Sequence, residues 1–249
     1  MKYVRYRDSR GEITYGVLEE DTVCEISGGL FGAREETGRK DDLGSVELLC
    51  PCEPSKILAI GWNYRSHLSD RPAPENPEIF VVPVSALLEP EGTIRIPDDA
   101  ENVHFEGELV MVVGKKTREI QPSEAEEHIF GFTCGNDISE RNWQKNDLQW
   151  WRAKGCDTFA PLGPAIVTDF NWKEGQIRTR VNGETVQSGR FAELLFDPPA
   201  ILSYASRYVT LYPGDVIFTG TPGVTRPLQP GDSVEVEIPG IGVLRNRVA

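Results

Sequence analysis

The chain has 249 residues, 39% of them apolar and 26% charged, and a formal net charge of −13. That length buries a substantial core and suits one large domain or a large one with a small companion. The negative charge argues against nucleic acid or an anionic membrane surface as the main partner, and no apolar run approaches the roughly 20 residues that span a bilayer.

Residues 3–7 and 13–18 alternate around a turn at Gly11, so residues 1–54 read as a small β-rich N-terminal domain. Within it, the glycine- and charge-rich stretch 28–44 reads as loop with a short helix. Pro51 and Pro54 mark a junction, and residues 55–249 form the main domain, opening with a strand at 56–61. Residues 64–78 carry Pro72, Pro74 and Pro77 among charges and read as a mobile segment. Strands are predicted at 79–84 and 93–96. The apolar, β-branched run 109–113 reads as a strand buried on both faces. A short helix is predicted over 123–129, with Ser123 as N-cap and Glu126 completing a capping box, followed by a strand at 129–134.

Asn182-Gly183 between alternating runs predicts a hairpin over 178–187 with a type I′ turn. A helix follows at about 198–207, then strands at 215–219 and 233–238. Strands dominate and no regular β-α-β alternation appears, so the expectation is a mainly β protein with some α. Neither a Gly-x-Gly-x-x-Gly after a strand nor a P-loop is present. The five cysteines are Cys24, Cys50, Cys52, Cys134 and Cys156, and the N-terminus lacks a long apolar core. Reduced thiols in a cytoplasmic protein are expected. Cys50-Pro51-Cys52 has no second Cys/His pair to complete a metal site.

The strongest chemical signal is Glu106-Gly107-Glu108 at the entrance to the buried strand. Residues i and i+2 of a strand point to one side, so the two carboxylates stand together. Burying adjacent carboxylates is costly without a cation. A hard divalent metal, with Asp137 of Asn136-Asp137 as third oxygen ligand, accounts for them. An isolated Glu-x-Glu would more simply solvate a strand end.

Three further segments qualify. In Asn63-Tyr64-Arg65-Ser66-His67-Leu68-Ser69-Asp70, His67 and Asp70 share a face if the segment is helical, and the carboxylate would orient the imidazole as a base for water. Lys154, in a glycine-flanked stretch, can reach a substrate carboxylate or enolate oxygen. Thr219-Gly220-Thr221-Pro222 is a turn whose N–H and hydroxyl groups can hold an anion. Each alone is also an ordinary surface pair, surface lysine or tight turn.

Taken in order, the segments resemble the fumarylacetoacetate hydrolase family. Asn-Tyr-x-x-His, Glu-x-Glu, Asn-Asp-x-Ser-x-Arg, Lys-Gly-x-Asp-Thr-Phe-x-Pro-Leu-Gly-Pro, Val-Asn-Gly and Pro-Gly-Asp-x-Ile-x-Thr-Gly-Thr-Pro all occur over residues 55–249. The resemblance implies a mixed β-roll with peripheral helices, commonly dimeric. It implies Glu106, Glu108 and Asp137 as ligands of Mg²⁺, with Mn²⁺ or Ca²⁺ as substitutes. It implies His67, Asp70 and Lys154 as catalytic residues, and Arg141, Gln144, Thr221 and Tyr64 as substrate-binding. The implied substrate is a small 2-oxo acid or diketo acid.

Two departures from the family pattern stand out. Asp70 replaces a glutamate, and Phe80-Val81-Val82-Pro83 lacks a Lys-Pro that many relatives carry. The first functional expectation is hydrolysis of a C–C bond in an acylpyruvate or 1,3-diketo acid through a metal-stabilised enolate. The alternative is a decarboxylase or an isomerase/tautomerase of 2-oxo diacids, of oxaloacetate or 2-hydroxyhepta-2,4-diene-1,7-dioate type. A non-catalytic metal-binding protein is a minor third reading.

Overall fold

The computed structural model describes residues 1–68 and 70–249. Ser69, inside the segment read as mobile, lies outside the described residues. The architecture is mainly β, as expected. A long sheet runs Arg34–Asp42, Thr22–Gly28, Ile13–Glu19, Lys2–Arg7, Ala160–Val167, Ile129–Asn136, Gly107–Val113, Val216–Phe218, Ile57–Gly61, Glu78–Val82. Neighbours along it are antiparallel except Val216–Phe218, which is parallel to Ile57–Gly61. The N-terminal strands join the rest through Lys2–Arg7 against Ala160–Val167. A second sheet runs Glu184–Arg190, Gln176–Val181, Ser233–Ile238, Gly242–Val248, Thr93–Ile94. Among the described residues, no helix is long and apolar enough to cross a membrane.

The Gly107–Val113 strand sits mid-sheet and every residue of it is buried. Its β-branched run packs on both faces. Leu109, Met111 and Val113 join one apolar cluster, and Val110 and Val112 join another on the opposite side. Each such side chain stabilises the fold by about 1.5–3 kcal/mol. Gly107 has no room for a side chain, because a Cβ there would lie 2.1 Å from Thr179 Oγ1 in the second sheet. The two sheets therefore close over the start of this strand, where the glutamates are.

Two local expectations change. The 28–44 stretch contains the strand Arg34–Asp42, paired with Thr22–Gly28 at the sheet's edge. Nearly all its residues are exposed, so it carries no alternating apolar pattern to read. The 123–129 helix is a 3-10 segment over Pro122–His128, whose first turn closes through Gln121 N–H donating to Glu124 Oε2 at 2.8 Å. Proline after Gln121 suits the first helical position and moves the cap back from Ser123. The hairpin forms as read, with Asn182 and Gly183 both at positive φ. The late helix spans Pro198–Ser206, capped by Asp197.

Candidate active site

The site lies where the Gly107–Val113 strand, the Thr219–Gly223 turn and two short helices meet. Glu106, Glu108 and Asp137 are all buried, and one oxygen from each lies within 4.8 Å of the others. Main-chain pairing enforces this convergence. Gly107 pairs with Asn136, Asp137 N–H donates to the Glu106 carbonyl at 2.9 Å, and Glu106 N–H donates to Asn136 Oδ1 at 2.9 Å.

The helix Arg141–Asn146 is capped by Glu140, whose Oε2 accepts the Trp143 N–H at 2.5 Å. It brings in Arg141 and Gln144. The helix Trp151–Gly155 brings in Lys154. The run 141–155 has no apolar periodicity, and neither helix was legible from it. Lys154 Nζ lies 2.5 Å from Glu106 Oε2 and 2.6 Å from Asp137 Oδ2. Arg141 Nη2 lies 2.6 Å from Glu106 Oε1, and its Nη1 donates to Gln144 Oε1 at 2.7 Å.

The three acids are unequal. Burial works against charge on Glu106, but Arg141 and then Lys154 outweigh it and hold that carboxyl well below the usual range. Burial pushes Glu108 well above the usual range, and the charges of Asp137 and Glu106 push it further. Among the described residues, its carboxylate receives a single hydrogen bond, from Gly220 N–H at 2.6 Å. Gly220 has φ +99°, and a Cβ there would lie 2.8 Å from Asn63 Cβ, so only glycine delivers that N–H. Burial raises Asp137 to about 7 despite Lys154.

Three buried carboxylates thus face the full charges of Lys154 and Arg141. The hard-oxygen donor set and the charge deficit on Glu108 fit a divalent cation of the Mg²⁺, Mn²⁺ or Ca²⁺ type.

His67 sits on a single 3-10 turn, Arg65–His67. Its Nδ1 lies 2.6 Å from the Gly223 carbonyl, which only accepts, so Nδ1 carries the hydrogen. Nε2 faces Glu106 Oε1 at 3.4 Å. The expected His67–Asp70 pair is not formed. Asp70 is exposed and, among the described residues, makes no hydrogen bond to the imidazole. The shared face required a helical turn reaching Asp70, whereas the 3-10 turn ends at His67 and turns its ring to Gly223.

The acids, His67, Gln144, Lys154 and Thr221 line a tight cavity of about 10 Å³. Its aromatic wall is Trp62, Phe80 and Trp150, with Trp150 edge-on to both others. Three residues named from the sequence meet other groups of the chain here. Lys154 binds the acids directly. The Thr221 hydroxyl donates to the Gly107 carbonyl at 2.8 Å and accepts from Gln187 at 3.0 Å. Tyr64 is 1% exposed and lies outside the cavity lining; its main chain bridges to Leu194 instead.

Other participants were not singled out from sequence. Asn63 braces the turn, its Nδ2 donating to the Thr219 carbonyl at 2.8 Å. His104 contacts Thr225, which contacts Arg141, and burial, then the charge of Arg141, depress His104 to about 4. Only their distance in sequence hid the last pair.

Residues 56–249 match the model of the fumarylacetoacetate (FAA) hydrolase C-terminal family, and residues 1–51 that of the Rv2993c-like N-terminal family. Protein Rv2993c of Mycobacterium tuberculosis is 42% identical over 251 residues, covering 98% of this chain and 94% of the relative. Oxaloacetate tautomerase FAHD2A, mitochondrial, of Homo sapiens is 40% identical over 218 residues, 82% of this chain and 69% of the relative. Among solved structures, 5-carboxymethyl-2-hydroxymuconate delta-isomerase from Mycobacterium smegmatis has a TM-score of 0.95 at 42% identity, covering 100% of this chain and 99% of that one. The 2-hydroxyhepta-2,4-diene-1,7-dioate isomerase from Mycobacterium marinum has a TM-score of 0.94 at 40% identity, covering 100% and 98%. With the ordered motifs, the roll of mixed sheets and the buried acid triad, these likenesses make the chain an enzyme of the fumarylacetoacetate hydrolase family.

Proposed function

We propose that this chain is a divalent-cation-dependent tautomerase or isomerase of 2-oxo diacids. The relatives favour this over the hydrolase reading: the oxaloacetate tautomerase and the two isomerases are 40–42% identical to this chain, whereas a fumarylacetoacetate hydrolase and a maleylpyruvate hydrolase are 32% and 26% identical. The observation that carries it is the setting of His67. Its Nδ1–H is held by a carbonyl, and its Nε2 points at the acid cluster. One proton carrier beside a charge-holding site is the minimum for a keto–enol or double-bond shift. Hydrolysis also needs a positioned water, and the carboxylate expected to orient His67 for it lies at the surface.

Glu106, Glu108 and Asp137 would hold the cation, Mg²⁺ or Mn²⁺. When bound, it supplies positive charge against which a 2-oxo oxygen can carry developing negative charge. His67 Nε2 takes the proton from the carbon next to the carbonyl and returns it to oxygen, or to a more distant carbon. No bond to water forms and no other atom leaves. Lys154 and Arg141 keep Glu106 ionised and in place. Gln144, with Oε1 taken by Arg141, offers its amide nitrogen to the substrate. The aromatic wall excludes water from the carbanion-like state.

The test is a panel of 2-oxo acids with Mg²⁺, read by ultraviolet loss of the enol and by product mass. Faster enol–keto exchange of oxaloacetate without change of mass is expected. Release of CO₂, or two acid fragments from an acylpyruvate, without accelerated exchange would overturn the reading in favour of decarboxylation or hydrolysis.

A further inference from the structure

The main chain just after the Thr219–Gly223 turn reaches both sides of the site. The Gly223 carbonyl accepts from His67 Nδ1 at 2.6 Å, and its N–H donates to Ser66 Oγ at 3.0 Å. Two residues on, Thr225 Oγ1 lies 2.8 Å from Arg141 Nη2 and 2.8 Å from His104 Nδ1. His104 Nε2 lies 2.9 Å from Asn102 Oδ1. His104 is itself held in place by the Val103–His104 pairing with Ser139–Glu140 and by a bridge to Pro227.

These contacts allow one direction of donation. A guanidinium only donates, so Thr225 Oγ1 accepts from Arg141. An amide oxygen only accepts, so His104 carries its hydrogen on Nε2. Nδ1 is then the bare nitrogen, and the Thr225 hydroxyl donates to it. Every donor in the chain finds an acceptor.

We infer that Thr225 and His104 are positioning residues for the reaction. The relay Arg141–Thr225–His104–Asn102 fixes one arm of the guanidinium. That same nitrogen stands 2.6 Å from Glu106 Oε1, and the other arm holds Gln144, which lines the cavity. The Gly223–Thr225 segment thereby sets three things together: the His67 tautomer, the orientation of a candidate cation ligand and that of a substrate-facing amide. Neither Thr225 nor His104 lines the cavity, so both act through Arg141.

The activity arm of the test rests on the tautomerase reading, and a nuclear magnetic resonance arm does not. Thr225→Val removes the hydroxyl and keeps the shape, whereas Thr225→Ser keeps the hydroxyl. Thr225→Val lowers kcat for enol–keto exchange about 10- to 100-fold, and Thr225→Ser stays within about threefold of wild type. In ¹⁵N spectra, wild-type His104 shows hydrogen on Nε2 and a hydrogen-bonded, unprotonated Nδ1. The Nδ1 signal moves toward that of a free acceptor in Thr225→Val and stays put in Thr225→Ser.

Hydrogen on Nδ1 of wild-type His104 overturns the relay, and this measurement needs no variant to fold. So does a Thr225→Val enzyme with wild-type kcat, or a Thr225→Ser enzyme as impaired as Thr225→Val. A wild-type protein without exchange activity but with the expected His104 spectrum sinks the tautomerase reading and upholds the relay.

Discussion

The short strand Val216–Phe218 carries a buried acid site at each end, and the two are built in opposite ways. At its start, Asp215 is fully buried and saturated with donors. Ser55 N–H, Ser55 hydroxyl and Lys56 N–H meet Oδ1 at 2.9, 2.7 and 3.0 Å. Lys56 Nζ and Tyr212 N–H meet Oδ2 at 2.5 and 2.8 Å. At its end, Glu108 has the Gly220 N–H and, among the described residues, no cation of its own. Lys154 serves Glu106 and Asp137, and Arg141 serves Glu106.

Asp215 has what a structural carboxylate needs, because its charge and lone pairs are matched where it stands. The Glu106–Glu108–Asp137 cluster is left short of positive charge. Burying it without a further cation costs stability that packing elsewhere offsets. An acid site that is deficient by design is a binding site, and a saturated one is a brace.

The largest test of this contrast is removal of the cation. EDTA should abolish enol–keto exchange, and Mg²⁺ or Mn²⁺ should restore it; full turnover in EDTA would break the contrast. Next is His67→Asn, which keeps a polar group but removes the proton carrier. Its kcat should fall about 10²–10⁴-fold with little loss of cation affinity. Unchanged exchange would show that the proton moves by another route.

Asp215→Asn should cost about 3 kcal/mol in urea unfolding, because it leaves Lys56 facing a neutral partner. Glu108→Gln should act with the opposite sign in the cation-free protein, raising stability by about 1 kcal/mol while losing activity. Equal destabilisation by both substitutions would erase the distinction. The smallest effect is at Asp70. Asp70→Ala should leave exchange within about twofold, and a large loss would return Asp70 to the proton-transfer machinery.

Much of this was legible in sequence where the physics is local. Glu106 and Glu108 share a side because strand periodicity is two, and the turn at Asn182-Gly183 follows from the φ values those residues tolerate. The buried strand after Glu108 declared itself by its β-branched run. The edge strand Arg34–Asp42 did not, because an element with no buried face has no pattern to show.

In the site, the acids were legible and the resemblance named Lys154 and Arg141, but not which acid each one meets. Lys154 and Glu106 lie 48 residues apart, and His104 and Thr225 lie 121 apart. Which lysine meets which glutamate is decided by tertiary closure. The same limit explains Asp70: three-residue spacing promised a pair, and the 3-10 turn that carries His67 ends there, with its ring turned to Gly223.

The most direct measurement is calorimetric titration of Mn²⁺ into cation-free wild type and Glu108→Gln. One saturable site per chain is expected in wild type and loss of that site in the variant, with both proteins folded by circular dichroism. A wild type that binds no Mn²⁺, or a Glu108→Gln variant that binds it as tightly as wild type, would contradict that expectation.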